Sequence, residues 1–266
     1  MRWYSSPRIV KKALLAVLGI FTAAPLVWVF VRSFENPVTL QVDNILVFWE
    51  RYLSLQQYAT VLFHDLEYWA AYWNTVLLTL PAVLAAVCAV SMAAYGLTVI
   101  KRTWQKRILM VYGILALLPM QVLLVPHLIV LSEIQMIGSR LAVILIVSSS
   151  PWYVFFLHRL CEGVPKDVFE AARIEGAGEW QIFLKVALPQ MRTGLMIFVI
   201  VISADLWGMV EEPLVYLQDA SKYPLSVLFH EMGLSISYAG VLLFALPVVG
   251  IFGYGIWETM KGSDIS

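Results

Sequence analysis

Two sets of residues in this chain have the types and spacing to do chemistry. One is the string Glu170-Ala171-Ala172, then Gly176, then Leu188-Pro189, spaced as a helix, a tight turn and a second helix. The other is a scatter of polar groups in or beside long apolar runs: Asn74, Gln121, His127, Ser203, Asp205, Trp207 and the pair Glu211-Glu212. Neither set makes a catalytic constellation. Asp205 has no matched second acid, no serine sits in a nucleophile motif, and there is no Gly-x-x-x-x-Gly-Lys-Ser/Thr cradle for a phosphate. His64, His127, His158 and His230 have no metal-ligand spacing, and Cys88 and Cys161 have no histidines nearby. The expectation is a non-enzyme that binds no metal, whose polar groups recognise something and dock something.

The elements that must position these groups follow from composition. Hydrophobic residues make up 61% of the chain and charged residues 14%, against about 25% charged in soluble domains. The apolar residues gather into runs near the roughly 20 residues that cross a bilayer as a helix. This predicts an all-α polytopic membrane protein with six transmembrane helices, over 12–31, 74–98, 108–131, 141–160, 193–215 and 238–258. Residues 1–73 form an N-terminal helix and external loop, 74–258 a core domain with a loop at 162–190, and 259–266 a short tail. The first run is long for a signal peptide and no small-x-small site follows it, so it is expected to stay as a helix. Of the 18 basic residues, 14 fall in segments on the side of both termini. That asymmetry predicts cytoplasmic termini in a cell membrane. A net charge of +0 gives no case for nucleic acid. The external stretch 32–73 is rich in aromatics (Trp49, Tyr52, Tyr58, Tyr68, Trp69, Tyr72, Trp73), which suit an interfacial belt or a docking surface, and 54–62 suits a short amphipathic helix. Pro25, Pro81, Pro119, Pro126, Pro151 and Pro247 are expected to kink the spans.

In that frame the first set lies on the cytoplasmic side, between spans four and five. Pro165 suits a first helical turn, and Asp167 and Glu170 complement the dipole at that end. Val168, Ala171, Ala172 and Glu175 share a face on which small side chains allow close approach. Gly176 can take the left-handed conformation that ends a helix. A second run, 179–188, is expected to stop at Pro189. Within the spans, Asp205 has two readings: contact with a hydroxyl or cation in a pore, or a pair with a polar group of a partner subunit. His127 reads as a hydrogen-bonded packing residue or a pore ligand, and Trp207 as a packing residue or a platform for a sugar ring.

The loop resembles the EAA loop of importer permeases of the ATP-binding-cassette (ABC) superfamily: Glu-Ala-Ala, three residues, Gly, nine residues, Ile-x-Leu-Pro. Here these are Glu170, Ala171, Ala172, Gly176, Val186, Leu188 and Pro189, with Val for Ile as the one departure. Val164-Pro165-Lys166, Ala172-Arg173-Ile174-Glu175-Gly176-Ala177, Asn74-Thr75, Leu118-Pro119-Met120-Gln121-Val122 and Val125-Pro126 are similar to the carbohydrate branch, with its maltose and glycerol-phosphate permeases. The resemblance covers about 70–255.

It implies a transmembrane subunit forming half of a path for a sugar, with a second permease subunit (a heterodimer), two separate ATPase subunits holding ATP and Mg, and an extracytoplasmic solute-binding protein. It also implies that Glu170, Ala171, Ala172, Gly176, Leu188 and Pro189 couple to the ATPase through a coupling helix, and that Asn74, Gln121, His127, Asp205, Trp207, Glu211 and Glu212 are candidates along the path. The branch has Trp-Asn-x-Phe-x-x-Pro-Leu after span five; here the string is Trp207-Gly208-Met209-Val210-Glu211-Glu212-Pro213-Leu214. The amide is lost and two carboxylates appear, a mouth that disfavours anions. The chain also stops soon after 257–262, without the longer Gly-rich tail of many relatives. Outside this reading stand the same machine for an amino acid, peptide or polyamine, an intramembrane enzyme, and a scaffold that only recruits an ATPase.

Overall fold

The computed structural model describes residues 6–36, 54–161, 166–232 and 237–263. Trp49 and Tyr52 of the external stretch, Pro165, and the last residues of the tail lie outside the described residues. Among the described residues the regular elements are all helical. They are α1 (Ser6–Arg32), α2 (Gln56–Phe63), α3 (Leu66–Val99), α4 (Arg102–Ala116), α5 (Met120–Glu133), α6 (Arg140–Ser148), α7 (Pro151–Cys161), α8 (Lys166–Ile174), α9 (Glu179–Gln190), α10 (Arg192–Trp207), α11 (Glu211–Tyr216), α12 (Leu225–Met232) and α13 (Tyr238–Ser263).

Three of these helices are long and apolar enough to cross a membrane: α1, α3 and α13. The most apolar stretch of α1 has 0% of its residues buried, so its side chains face the bilayer or another chain. Three further pairs pass the same test only together, bent by 101° between α4 and α5, 42° between α6 and α7, and 76° between α9 and α10. Proline explains the first two breaks. Pro119 caps α5 and disfavours helical backbone at Leu118, and Pro151 opens α7 where its missing N–H costs nothing. Pro25, Pro81, Pro126 and Pro247 sit inside continuous helices.

Two expectations change. The fifth span does not run to 215: α10 ends at Trp207, Gly208 caps it, and α11 is a separate helix with Pro213 in its first turn. Nor does Pro189 stop the second loop helix. The chain forms a π-helical turn over Phe183–Ala187 and stays helical to Gln190. A proline removes one i→i−4 bond and crowds the carbonyl four residues back. The wider π turn lets the helix pass it.

The chain divides into two compact units: residues 1–69 with 232–246, and residues 70–231 with 247–266. In the first, buried Gln57 organises the end of α1. Its Nε2 donates to the carbonyls of Arg32 (2.9 Å) and Glu35 (2.8 Å), satisfying acceptors that a helix C-terminus leaves open. Tyr58 hydrogen-bonds Ser33 at 2.8 Å, and Tyr68 donates to the Gly240 carbonyl at 3.0 Å.

In the second unit the core is built on one stripe of α3. Leu78, Ala82, Ala86, Val90 and Ala94, four residues apart, are all at most 1% exposed. Alanines at this spacing bring helix axes close where no hydrophobic effect drives helices together. The same core takes Ala142, Val143 and Val147 of α6, Leu157 of α7, and Phe198, Ile202 and Leu206 of α10. Replacing Ala86 by Leu should overpack this stripe and cost about 1–3 kcal/mol. Thermal unfolding of the detergent-solubilised protein should show it as a lowered midpoint.

Candidate functional site

The loop between α7 and α10 folds as a helical hairpin. The acidic Asp167 lies in the first turn of α8, as the dipole favours. At the far end Gly176 has φ +85, the Gly176 N–H donates to the Arg173 carbonyl at 3.0 Å, and the Ala177 N–H donates to the Ala172 carbonyl at 3.0 Å. This is a left-handed glycine stop. The second helix starts at once, with the Gln181 side chain accepting from the Gly178 N–H at 3.3 Å.

The inner side of the hairpin is anchored. Phe169, Ile182, Phe183 and Ala187 are each no more than 5% exposed. Tyr95, near the end of α3, joins both hairpin helices. Its hydroxyl donates to Glu179 Oε2 at 2.6 Å, and its ring meets Phe169 edge-on at 5.8 Å and Phe183 at 5.5 Å. Arg173 of α8 grips the same Glu179, Nε to Oε1 at 2.6 Å and Nη2 to Oε2 at 3.2 Å. The ion pair alone is half-exposed and worth at most about 1 kcal/mol. The aromatic contacts contribute about 0.5–1.5 kcal/mol each beyond their buried area. Nothing in the local pattern singles out Tyr95, which lies 75 residues before Glu170 in an apolar run.

The outer side is different. Glu170, Ala171 and Glu175 are exposed, and so are Ile174 (87%) and Trp180 (62%). Leu188 is half-buried and Pro189 exposed. This face therefore leaves two large apolar side chains, Ile174 and Trp180, uncovered beside acidic and small residues.

The membrane-embedded candidates separate into three places. Asp205, His127 and Glu212 line one cavity of about 580 Å³, together with Ser149, Ser150 and Tyr153. Tyr153 donates to Asp205 Oδ2 at 2.9 Å, and His127 Nδ1 pairs with the Tyr216 hydroxyl at 3.1 Å. The helix breaks after Ser148 and after Trp207 bring Ser149, Ser150 and Gly208 to this cavity. Among the described residues, no Lys or Arg lines it. Glu211 lies beside this group and accepts from Gln121 Nε2 at 2.8 Å and 3.1 Å. Asn74 and Trp207 lie elsewhere. Asn74 is buried, donates to the carbonyls of Ser221 (2.8 Å) and Tyr223 (3.1 Å), and accepts from Arg140 at 2.7 Å. Trp207 is 8% exposed with its ring edge-on to Tyr72 at 5.7 Å, as packing residues are.

Two hydrogen bonds, from Arg173 first and Tyr95 second, hold the Glu179 carboxyl below its ordinary value of 4.5. A carboxylate depressed on folding stabilises the fold above that ordinary value, and the contribution is lost as pH falls through the depressed one. Protection factors over 166–190, the intrinsic exchange rate divided by the measured one at each pH, should therefore hold from neutral pH down to the mid-4 range and fall below it, with Glu179→Gln removing that fall. A second prediction concerns the turn: Gly176→Ala should cost about 1–2 kcal/mol of hairpin stability, the penalty of a side chain at positive φ, and raise exchange in the same segment.

Comparison with known proteins accords with this architecture. The model of the family described as binding-protein-dependent transport system inner membrane component matches residues 85–253. The arabinooligosaccharides transport system permease protein AraQ of Halalkalibacterium halodurans is 27% identical over 247 residues, covering 90% of this chain and 88% of AraQ. The lactose transport system permease protein LacG of Rhizobium radiobacter is 22% identical over 253 residues, covering 92% and 91%. Among solved structures, a bacterial ABC transporter involved in the import of the acidic polysaccharide alginate superposes with a TM-score of 0.73 over 100% of this chain and 98% of that chain, at 19% identity. That likeness is one of fold.

Proposed function

The chain belongs to the family of binding-protein-dependent transport system inner membrane components, and we propose that it forms half of the translocation path of an ABC importer for a sugar. The curated relatives AraQ and LacG, named for oligosaccharide and lactose transport, support the solute class. The observation that carries the coupling role is the two-sided hairpin. Its outer face exposes Glu170, Ala171 and Ile174, while its inner face is tied through Tyr95 to α3.

On this reading the outer face seats in a groove of a separate ATPase, which holds ATP and Mg. Glu170 meets a basic group there, and Ala171, Ala172 and Gly176 let the backbones approach. ATP-driven closure of the ATPase pair moves the hairpin, and Tyr95 passes the movement to α3 and its alanine stripe. The permease pair then exposes its path to one side of the membrane and the other in turn. The remaining partners are a second permease, making a heterodimer, and an extracytoplasmic binding protein that delivers the solute. Both termini are cytoplasmic, and six crossings follow if α4 with α5 and α6 with α7 each make one span and α10 crosses without α9, which stays in the hairpin.

The 580 Å³ cavity is the chain's contribution to the path. Carboxylates at Asp205 and Glu212, the Tyr153 hydroxyl and the two serines offer acceptors and donors to sugar hydroxyls. The lack of Lys and Arg among the described lining residues, beside two carboxylates, disfavours anionic sugars. The same carboxylates favour a second reading, a solute bearing a positive charge.

Glu170→Arg or Gly176→Pro should abolish co-purification of the ATPase while leaving the protein in the membrane. Unchanged ATPase association and transport would sink the coupling role. In the reconstituted complex, neutral sugars delivered by the binding protein should stimulate ATP hydrolysis, and Asp205→Asn should reduce that stimulation about tenfold, the loss of one charge-assisted hydrogen bond. Stimulation by amines alone would install the second reading, and no stimulation by any solute class would overturn both.

A further inference from the structure

A smaller cavity, of about 350 Å³, lies between α10 and α13 within the second compact unit, beside the bend where the hairpin turns into α10. Among the described residues its walls are apolar: Leu195, Met196 and Val199 of α10, Ile251 of α13 and Leu188 at the bend. It runs along α10 from Arg192 to Ile200, eight residues or about 12 Å. Two contacts pin the helices over that length. A Cβ added to Gly255 would collide with the Ile200 side chain, so α13 and α10 touch there. At the other end Arg192 Nη2 donates to Glu258 Oε1 at 3.1 Å. The rim is open, with Pro189, Arg192 and Tyr254 exposed. Tyr254 and Trp257 lie ring to ring at 6.0 Å on the exposed side of α13. Tyr and Trp are the side chains that settle at headgroup depth in a bilayer.

We propose that this cavity seats one acyl chain of a phosphatidylethanolamine whose zwitterionic headgroup lies over the Arg192–Glu258 pair, phosphate toward Arg192 and ammonium toward Glu258. The pair needs no rearrangement to do this. A guanidinium has five N–H donors and a carboxylate has two acceptor oxygens. The bond between them uses one of each, and the Arg192 side chain is 69% exposed. The remaining guanidinium donors suit a phosphate. The second carboxylate oxygen suits a primary ammonium, which brings three N–H donors. A choline headgroup has no N–H to give, and a glycerol headgroup brings a net negative charge that Glu258 opposes. The charges at the rim thus choose among lipids, and the apolar walls choose a lipid over soluble phosphoethanolamine, which shares the headgroup chemistry. A chain seated here touches Leu188, where the hairpin leads into α10. The site requires only a membrane protein and stands apart from the coupling role.

The test uses the complex as purified from membranes, with whatever subunits accompany the chain, in nanodiscs of phosphatidylethanolamine, phosphatidylcholine and phosphatidylglycerol in equal parts. Retained lipid is counted by native mass spectrometry. Phosphatidylethanolamine should be retained about tenfold over phosphatidylcholine, the worth of one charge-assisted hydrogen bond. Glu258→Gln keeps the walls and Arg192, and should turn the preference toward phosphatidylglycerol. Val199→Phe keeps both charges but fills the cavity, and should lose the retained lipid. Glu258→Gln decides the matter should Val199→Phe fail to fold. With p-benzoylphenylalanine in place of Tyr254, illumination should yield a lipid adduct. In a separate arm, phosphoethanolamine titrated into pure phosphatidylcholine nanodiscs should show no saturable binding. Equal retention of the three lipids, an unchanged preference in Glu258→Gln, undiminished retention in a folded Val199→Phe, or saturable binding of phosphoethanolamine each overturns the assignment. So does a cross-link from position 254 to another subunit in place of lipid.

Discussion

Much of this molecule depends on one hydrogen bond with its aromatic surround. The Tyr95 phenol, held by Phe169 and Phe183, reaches the Glu179 carboxylate that Arg173 also grips. Without that junction α8 and α9 would be two short amphipathic helices on flexible ends. Helices of nine and twelve residues are marginal alone, since nucleation is costly and few bonds follow it. Docked on α3 they become a rigid lever. The same helix carries the alanine stripe that seats α6, α7 and α10, so a force on the hairpin has a continuous packed route into the bundle.

The second constraint is the bilayer itself. Every backbone group at membrane depth needs a partner, so irregular backbone is tolerated only where it lines a cavity or is buried in protein. The breaks at 149–150 and 208–210 obey this rule, since Ser149, Ser150, Gly208 and Met209 border the cavity that also holds Asp205 and Glu212. Around them, polar residues in the third and fourth turns of α3 tie down the irregular stretch. Asn74 holds the carbonyls of Ser221 and Tyr223, Thr75 accepts from the Leu225 N–H, and Thr79 donates to the Leu206 carbonyl.

Much of this was legible in the sequence. Apolar run length gave a multi-pass helical chain, and the string from Glu170 to Pro189 gave the hairpin, down to the left-handed Gly176. What was illegible depended on three dimensions. Pro119 marked a kink but not a turn as large as 101°, and the end of α10 at Trp207 was hidden within an apparent span, since a hydropathy run does not say how far it bends. Asn74 and Trp207 stand out in the sequence as polar and aromatic groups in apolar runs; their partners, Arg140 and Tyr72, are ones that periodicity does not name. Asp205 and Glu212 are closer to readable, seven residues apart across a glycine. Tyr153 and Tyr95 could be found only by contact.

The π turn at Phe183–Ala187 bears on how related chains should be aligned. An α-helix advances about 100° per residue, so the extra residue in this wide turn swings everything beyond it round the axis by that amount. A relative lacking one residue here would still read as the same helix, but Leu188, Pro189 and the entry to α10 would point to a different compass bearing. Within this segment a single-residue gap is a rotation rather than a shortening, and gap placement between 183 and 187 decides which side chains are homologous in direction as well as in order.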